Sequence, residues 1–352
     1  MSIEAIKSFL TDPTRVIKLE SIQSYKNISV VPLVTRNNHI IEFETLLNGE
    51  KGGFAFIQEQ ESESVSQLEA VNNGTVPILI PFMQTIKGGK QDRTVFEPIL
   101  VPASISEKLV FEIPSKCVEQ SRWGYRNEVR RAARDVQKKF SSSRMKVSPS
   151  SSRRTLGAKY HGLSEQGEMW SSLSSLRTQM NIGGNVARSN SHLEMMKSKE
   201  KEIKNYAKEF KLIPGQTGAA LFINGILIGM ELYGNDSFKD FFEDIINAFA
   251  LEALIRKTKE NFKGISEQDA QNQVLSQFNI NNIEFTTRKG VGLGDIVEFK
   301  TNDMKWVGIS LVHDGKLVHF YMVAETALNK NNNRTRRTSQ VRTSGLNRGL
   351  IR

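Results

Sequence analysis

Four short polar stretches hold most of the side chains that could do chemistry: KGGKQDR (residues 87–93), CVEQSRW (117–123), SEQGEMW (164–170) and PGQTG (214–218). Each joins a glycine or a loop to amide, carboxylate or guanidinium groups. Gln91, Gln120, Gln166 and Gln216 supply donors and acceptors that can hold a ligand with ribose or phosphate groups. Glu119 and Glu168 are the candidate acid–base groups or metal ligands. The competing reading of any one stretch is a hydrogen-bonded loop that ties two lobes together.

A basic stripe adjoins the second stretch. Arg122, Arg126, Arg130, Arg134 and Lys138 recur every four residues, which puts them on one slowly winding helix face. Val129, Ala133, Val136 and Phe140 form an apolar face beside it. Arginine gives paired hydrogen bonds to phosphate oxygens. The serine-rich loop that follows adds Arg144, Lys146, Arg153 and Arg154. Anion binding is the favoured reading of this stripe, and a solvated face opposite acidic residues is the alternative.

Other constellations promise less. Cys117 opens a C-x4-R sequence ending at Arg122, but its interior holds Glu119 and lacks glycine. A loop that aims backbone N–H groups at an oxyanion favours small residues, so a buried, unreactive thiol is the better reading. His313 and His319 flank Asp314-Gly315. A two-residue turn there pairs His313 with Lys316 and Ser310 with His319, which points the two imidazoles to opposite faces and argues against a shared metal. Gly290, Gly292 and Gly294 precede a strand, not the helix that a dinucleotide fingerprint requires, so they read as a turn. No cofactor is singled out.

These groups need a scaffold, and the sequence predicts an α+β one. Its N-terminal antiparallel β-rich lobe is followed by an α/β lobe with antiparallel hairpins and a long core helix. The expected divisions are a helical lead-in at 1–26, a β-rich lobe at 27–121, the basic helix and Ser/Arg-rich loop at 122–160, an α+β lobe at 161–327 and a disordered tail at 328–352. Short Val, Ile and Phe runs bounded by Gly, Pro or Asn mark the β-rich lobe, and a packed sheet or sandwich fits them. Pro77, Pro81, Pro98 and Pro102 favour edge strands and bulges. Asn72-Asn73-Gly74 predicts a hairpin, and Asn224-Gly225 is the stronger such signal. Helices are expected at about 165–180, 192–210, 237–262 and 266–278. ALFINGILIGMEL and SLVHDGKLVHFYM echo each other and raise the question of an internal duplication.

The formal charge of the 352-residue chain is +10, and it is unevenly placed. Residues 1–121 carry −4, 122–159 carry +10, 160–327 carry −3 and 328–352 carry +7. The tail is rich in Asn, Thr, Ser and Arg and reads as a nucleic-acid or polyanion arm, with a solvated tail as the alternative. The start lacks a secretory core, and the longest apolar stretch, 219–233, is interrupted by Asn-Gly and Glu231. A cytoplasmic location without membrane contact is expected, and one cysteine excludes an internal disulfide.

In order along the chain, VPASISEKLVFEIPSKCVEQSRW, SEQGEMW, PGQTGAALFINGILIGMELYG, GVGLGDIVEF and SLVHDGKLVHF form a pattern. It resembles the ARG (ADP-ribosylglycohydrolase) and rhodanese-phosphatase-superfamily-associated protein family over roughly residues 16–323. The resemblance implies metabolism of NAD-derived or ADP-ribosyl compounds. Family-like positions are Lys90, Gln91, Arg93, Glu119, Gln120, Arg122, Trp123, Gln166, Glu168, Trp170, Gln216 and His313. Asp92 stands where relatives are expected to carry an amide, and Glu231 where they are expected to carry aspartate. The expectation is a phosphorylated, ribose-containing ligand. Arg122, Arg126 and Arg154 would hold its phosphate, Gln91, Gln120 and Gln166 its ribose or base, and Glu119 or Glu168 would do any acid–base work. Nucleic-acid binding through the basic helix and tail, or a scaffold without a ligand, are the alternatives.

Overall fold

The computed structural model describes residues 2–60, 67–87, 91–104, 110–118, 144–147, 166–183, 191–256, 262–275, 280–303 and 306–324. The expected basic helix and the tail lie outside them. The chain opens with α1 (Ser2–Thr11), β1 (Ile17–Leu19), β2 (Gln23–Tyr25) and β3 (Ile28–Thr35). Next come β4 (Glu44–Thr45), α2 (Leu46–Gly52), β5 (Ala55–Gln58), β6 (Gln67–Asn72), β7 (Ile78–Ile80), β8 (Thr85–Lys87), β9 (Arg93–Val95), β10 (Ile99–Val101) and β11 (Val110–Cys117). β12 (Arg144–Val147) precedes α3 (Gln166–Gln179), α4 (His192–Ser198) and α5 (Glu200–Ala207). Then follow β13 (Gly218–Ile223), β14 (Ile226–Tyr233), α6 (Phe238–Arg256) and α7 (Glu267–Leu275). The last strands are β15 (Ile283–Lys289), β16 (Asp295–Thr301), β17 (Trp306–His313) and β18 (Lys316–Ala324). The class is α+β, as the sequence predicts. The helix expected over 192–210 is broken at Lys199, whose φ of −114° and ψ of 13° leave the helical region.

Nine strands form one sheet, ordered β1-β3-β13-β14-β18-β17-β16-β15, with β2 also on β3. β3 lies beside β13, so residues 27–121 contribute to more than one sheet. Both faces of this sheet are covered, which is why β13 is buried throughout and reads as an unbroken apolar run. Ala219, Leu221 and Ile223 face a cluster built with α3, α4, α5 and α6. Ala220 and Phe222 face the opposite cluster, with Ile6, Phe9 and Leu10 of α1 and Ala270 and Val274 of α7.

The two echoing hairpins sit side by side, with β14 paired to β18. Asn224 (φ 52°) and Gly225 (φ 74°) match Asp314 (φ 49°) and Gly315 (φ 74°), as a type I′ turn demands. Both hairpins break register at the same place, between Leu221 and Phe222 and between Leu311 and Val312. Each matched position is 90 residues from its counterpart. Glu231 and Tyr321, also 90 apart, are direct partners in the β14–β18 ladder. A local two-fold relation between the hairpins therefore passes through that pair. Turn and bulge agree on one offset, which supports duplication over chance convergence. The bulge also corrects the expected register: Leu311, not Ser310, faces His319.

The remaining β-structure is not a sandwich. β11-β6-β5-β12-β8-β9 close into a barrel, and β10-β7-β4 form a small sheet beside it. Two strands turn its corners. β11 pairs with β6 through 110–114 and with β9 through 115–117. β12 pairs with β5 through 144–145 and with β8 through 146–147. A strand shared between two sheets is what lets a small barrel close. Residues 144–147, expected within a serine-rich loop, are thus a wall strand. Ile57, Leu68, Ile86, Val95 and Ile113 fill the barrel.

Asn72-Asn73-Gly74 does not make the expected hairpin, because β6 pairs with β5 and β11 while β7 pairs with β10 and β4. The Asn72 side chain is committed elsewhere. Its Nδ2 donates to the carbonyls of Val76 and Pro102 at 2.9 and 3.0 Å, and its Oδ1 accepts from Gly74 N at 2.9 Å. Asn72→Ala strands these groups and is expected to cost about 1–3 kcal/mol in urea unfolding. The turn carrying Gly290, Gly292 and Gly294 docks on the small sheet through Leu293 N–H to Leu100 O at 2.8 Å. Arg288 adds an ion pair to Glu97 at 2.5 Å.

Candidate functional site

β9 carries an arginine where alternation demands an interior residue. Arg93 and Val95 share one face of the strand, and Val95 belongs to the barrel core. Arg93 pairs across the ladder with Cys117, so both side chains stand on that inner face. The Arg93 side chain is 0 % exposed. Its Nη1 donates to Glu59 Oε2 at 2.9 Å and to Gln67 O at 3.3 Å. Glu59 follows β5 and is itself buried, so the two charges neutralise each other where either alone would be prohibitive.

The rest of the guanidinium is unspent. Nε and Nη2 of Arg93 are buried and have no partner among the described residues. These two nitrogens form one edge of the planar fork, with parallel N–H bonds matched to two oxygens of a phosphate or carboxylate. Beside it, the Cys117 thiol donates to Gln91 Oε1 at 2.7 Å. Cys117 is buried, as expected for it.

A backbone ladder extends the barrel end toward the helices. Val118 N–H donates to Asp92 O at 3.0 Å, and His192 N–H donates to Val118 O at 3.0 Å. Ser191 caps α4 through Glu194 N, and this fixes His192 as the first helical residue. His192 is 0 % exposed, and neither ring nitrogen has a partner among the described residues. Burial pushes its pKa down from 6.5 to about 4. Sequence reasoning passed it over. The available signal was a histidine directly after an N-cap serine and before a Met-rich apolar face.

The sign of the resulting pH dependence is fixed. An unfolded chain takes up this proton below about pH 6.5 while the folded chain refuses it until about pH 4. Stability is therefore whole above that window and falls as pH drops through it, by roughly 3 kcal/mol for this group. Comparing His192→Phe with wild type in urea at pH 7 and pH 4.5 should show a smaller acid loss in the variant.

The other expected site residues fare differently. Gln91 and Arg93 come together at the barrel end. Gln216 accepts from Ile213 N at 3.1 Å and donates to Gly218 O at 2.9 Å, so both ends of its amide brace their own loop. His313 lies at the β17–β18 turn, with Nε2 3.7 Å from Asp314 Oδ2. Trp170 packs against the cluster under α3. Gln166 and Glu168 lie on α3, which packs on β11. Lys90, Glu119, Gln120, Arg122, Trp123, Arg126 and Arg154 lie outside the described residues.

A second buried polar group occupies the two-fold position in the large sheet. Tyr233 Oη donates to Glu231 Oε1 at 2.7 Å, and His319 Nε2 lies 3.1 Å from the same oxygen. Glu231 and His319 are both 0 % exposed. His319 thus serves a carboxylate within the sheet. Among the described residues no group of three or more His, Cys, Asp or Glu is placed to hold a metal ion, and no helix is long and apolar enough to cross a membrane.

A family model described as the ARG and Rhodanese-Phosphatase-superfamily-associated Protein domain matches residues 16–323. Neither curated proteins nor solved structures give a match.

Proposed function

The chain belongs to the ARG and Rhodanese-Phosphatase-superfamily-associated Protein family, and on that premise we propose that it binds a phosphorylated, ribose-containing small molecule of the NAD or ADP-ribose kind. The observation that carries this reading is the buried Arg93 edge, Nε and Nη2, left without a partner among the described residues. A buried N–H without an acceptor is costly, and a phosphate supplies two acceptors in the matching geometry. Gln91 accepts from the thiol of Cys117, the residue that pairs with Arg93 across the ladder. Residue 168 lies on α3 against β11. Glu168 thus lies on a helix that packs on the barrel wall, where an acid–base group would serve a reaction on the bound ligand.

Thermal denaturation with NAD, ADP-ribose and nucleotides at millimolar concentration tests it. A ligand at ten times its Kd should raise the midpoint by about 3 °C. Arg93→Lys keeps the charge opposite Glu59 but removes the bidentate edge, and should weaken that ligand at least about tenfold. No rise with any of these compounds, from a folded protein, counts against the reading. The tail lies beyond the matched residues. A nucleic-acid role confined to it predicts salt-steep binding that is lost on deleting residues 328–352.

A further inference from the structure

Arg93 accounts for an anion, yet it does not account for the second unspent group at the same end of the barrel. His192 is fully buried with neither ring nitrogen partnered among the described residues. It is joined to the Arg93 strand through consecutive backbone hydrogen bonds, His192 N–H to Val118 O and Val118 N–H to Asp92 O, each 3.0 Å. Two ladder spacings, about 10 Å, therefore separate its backbone from that of residues 92–93. We infer that His192 is the specificity-determining residue of this site, reading a sugar hydroxyl of the ligand whose phosphate rests on Arg93. The inference rests on the ligand reading above and adds to it the group that distinguishes a sugar phosphate from a bare phosphate.

The chemistry favours a hydroxyl. A neutral imidazole offers one N–H donor and one lone-pair acceptor, and burial keeps this one neutral at pH 7. A hydroxyl is the small group that can meet either nitrogen, donating to one tautomer and accepting from the other. A phosphate held on Arg93 presents mainly acceptors, which the acceptor nitrogen cannot serve. A purely structural histidine at this depth bonds to a backbone carbonyl, a side chain or an ordered water, and neither of the first two meets His192 among the described residues.

The test uses the full chain and two probes, inorganic phosphate and ribose 5-phosphate, by calorimetric titration against wild type, His192→Phe and His192→Asn. In wild type, ribose 5-phosphate should bind more tightly than phosphate. His192→Phe should weaken ribose 5-phosphate about tenfold while leaving phosphate unchanged. His192→Asn, which retains a donor and an acceptor, should recover part of the difference, and it also serves if the phenylalanine variant fails to fold. An unchanged ratio of the two affinities in both variants overturns the role of His192 and leaves the Arg93 reading standing. Failure of wild type to bind either probe overturns both.

Discussion

The Arg93→Met variant unfolds with a stability about 3–5 kcal/mol below wild type. The substitution removes the cation from a pair buried at 0 % and 5 % exposure and leaves the Glu59 carboxylate inside the barrel. Gln67 O also loses a donor. Most of the loss comes from the stranded charge, not from the worth of the pair, because two desolvated ions often only break even against apolar residues of similar size. The double variant Glu59→Leu, Arg93→Met should therefore be more stable than the single one, although it lacks the pair entirely. Urea unfolding of both measures this. A single-variant loss under 1 kcal/mol would mean that water reaches Glu59 and that the barrel end is not dry.

The second large effect lies on the α1 face of the large sheet. Phe320→Ala is expected to cost about 3–5 kcal/mol. Phe320 is fully buried, edge-on to Phe9 at 4.9 Å and stacked on Phe299 at 5.7 Å. Phe9 comes from α1 and Phe299 from β16, so the ring is where the first helix is fastened to the large sheet. Truncation loses the transfer energy and leaves a cavity that three rigid elements cannot close. Exposed Leu212 is the control, where alanine should change stability by less than about 0.5 kcal/mol. Hydrogen exchange should accelerate first in residues 2–11. A loss as small as the control's would show that α1 is not anchored through this ring. The loss expected at Phe320 is a large part of the roughly 5–15 kcal/mol that holds a domain together.

Local signals were legible and long-range ones were not. Asn224-Gly225 and Asp314-Gly315 are decided by backbone sterics within two residues, and both turns form as read. Asn72-Asn73-Gly74 carries the same local preference, yet the Asn72 side chain is drawn to carbonyls 4 and 30 residues away, which turns the chain into another sheet. The bulge at Leu311 and Val312 displaced the partner of His319 by one residue. No local pattern announces a bulge that spacing alone must absorb. Residues 144–147 looked like loop because a four-residue strand in a serine-rich setting offers too little alternation to detect.

The site divides in the same way. Gln91 and Arg93 were found because polar groups crowd one short stretch. The meaning of Arg93 depends on Glu59, 34 positions earlier, and on strand closure that no composition reveals. His192 escaped notice because its interest lies in what it fails to touch. The echo of the two hairpins is visible in the sequence, and the shared 90-residue offset of turn and bulge gives a duplication its weight.

If the proposed ligand binds through the Nε–Nη2 edge of Arg93, the Arg93 Nε–H resonance reports on it directly. Assigned in a 15N–1H spectrum by its absence from Arg93→Lys, it should shift and exchange more slowly as ADP-ribose is added, while that of exposed Arg36 stays still. An Arg93 Nε–H that does not move under saturating ADP-ribose, in a protein that the same ADP-ribose stabilises, would contradict the claim and place the anion elsewhere.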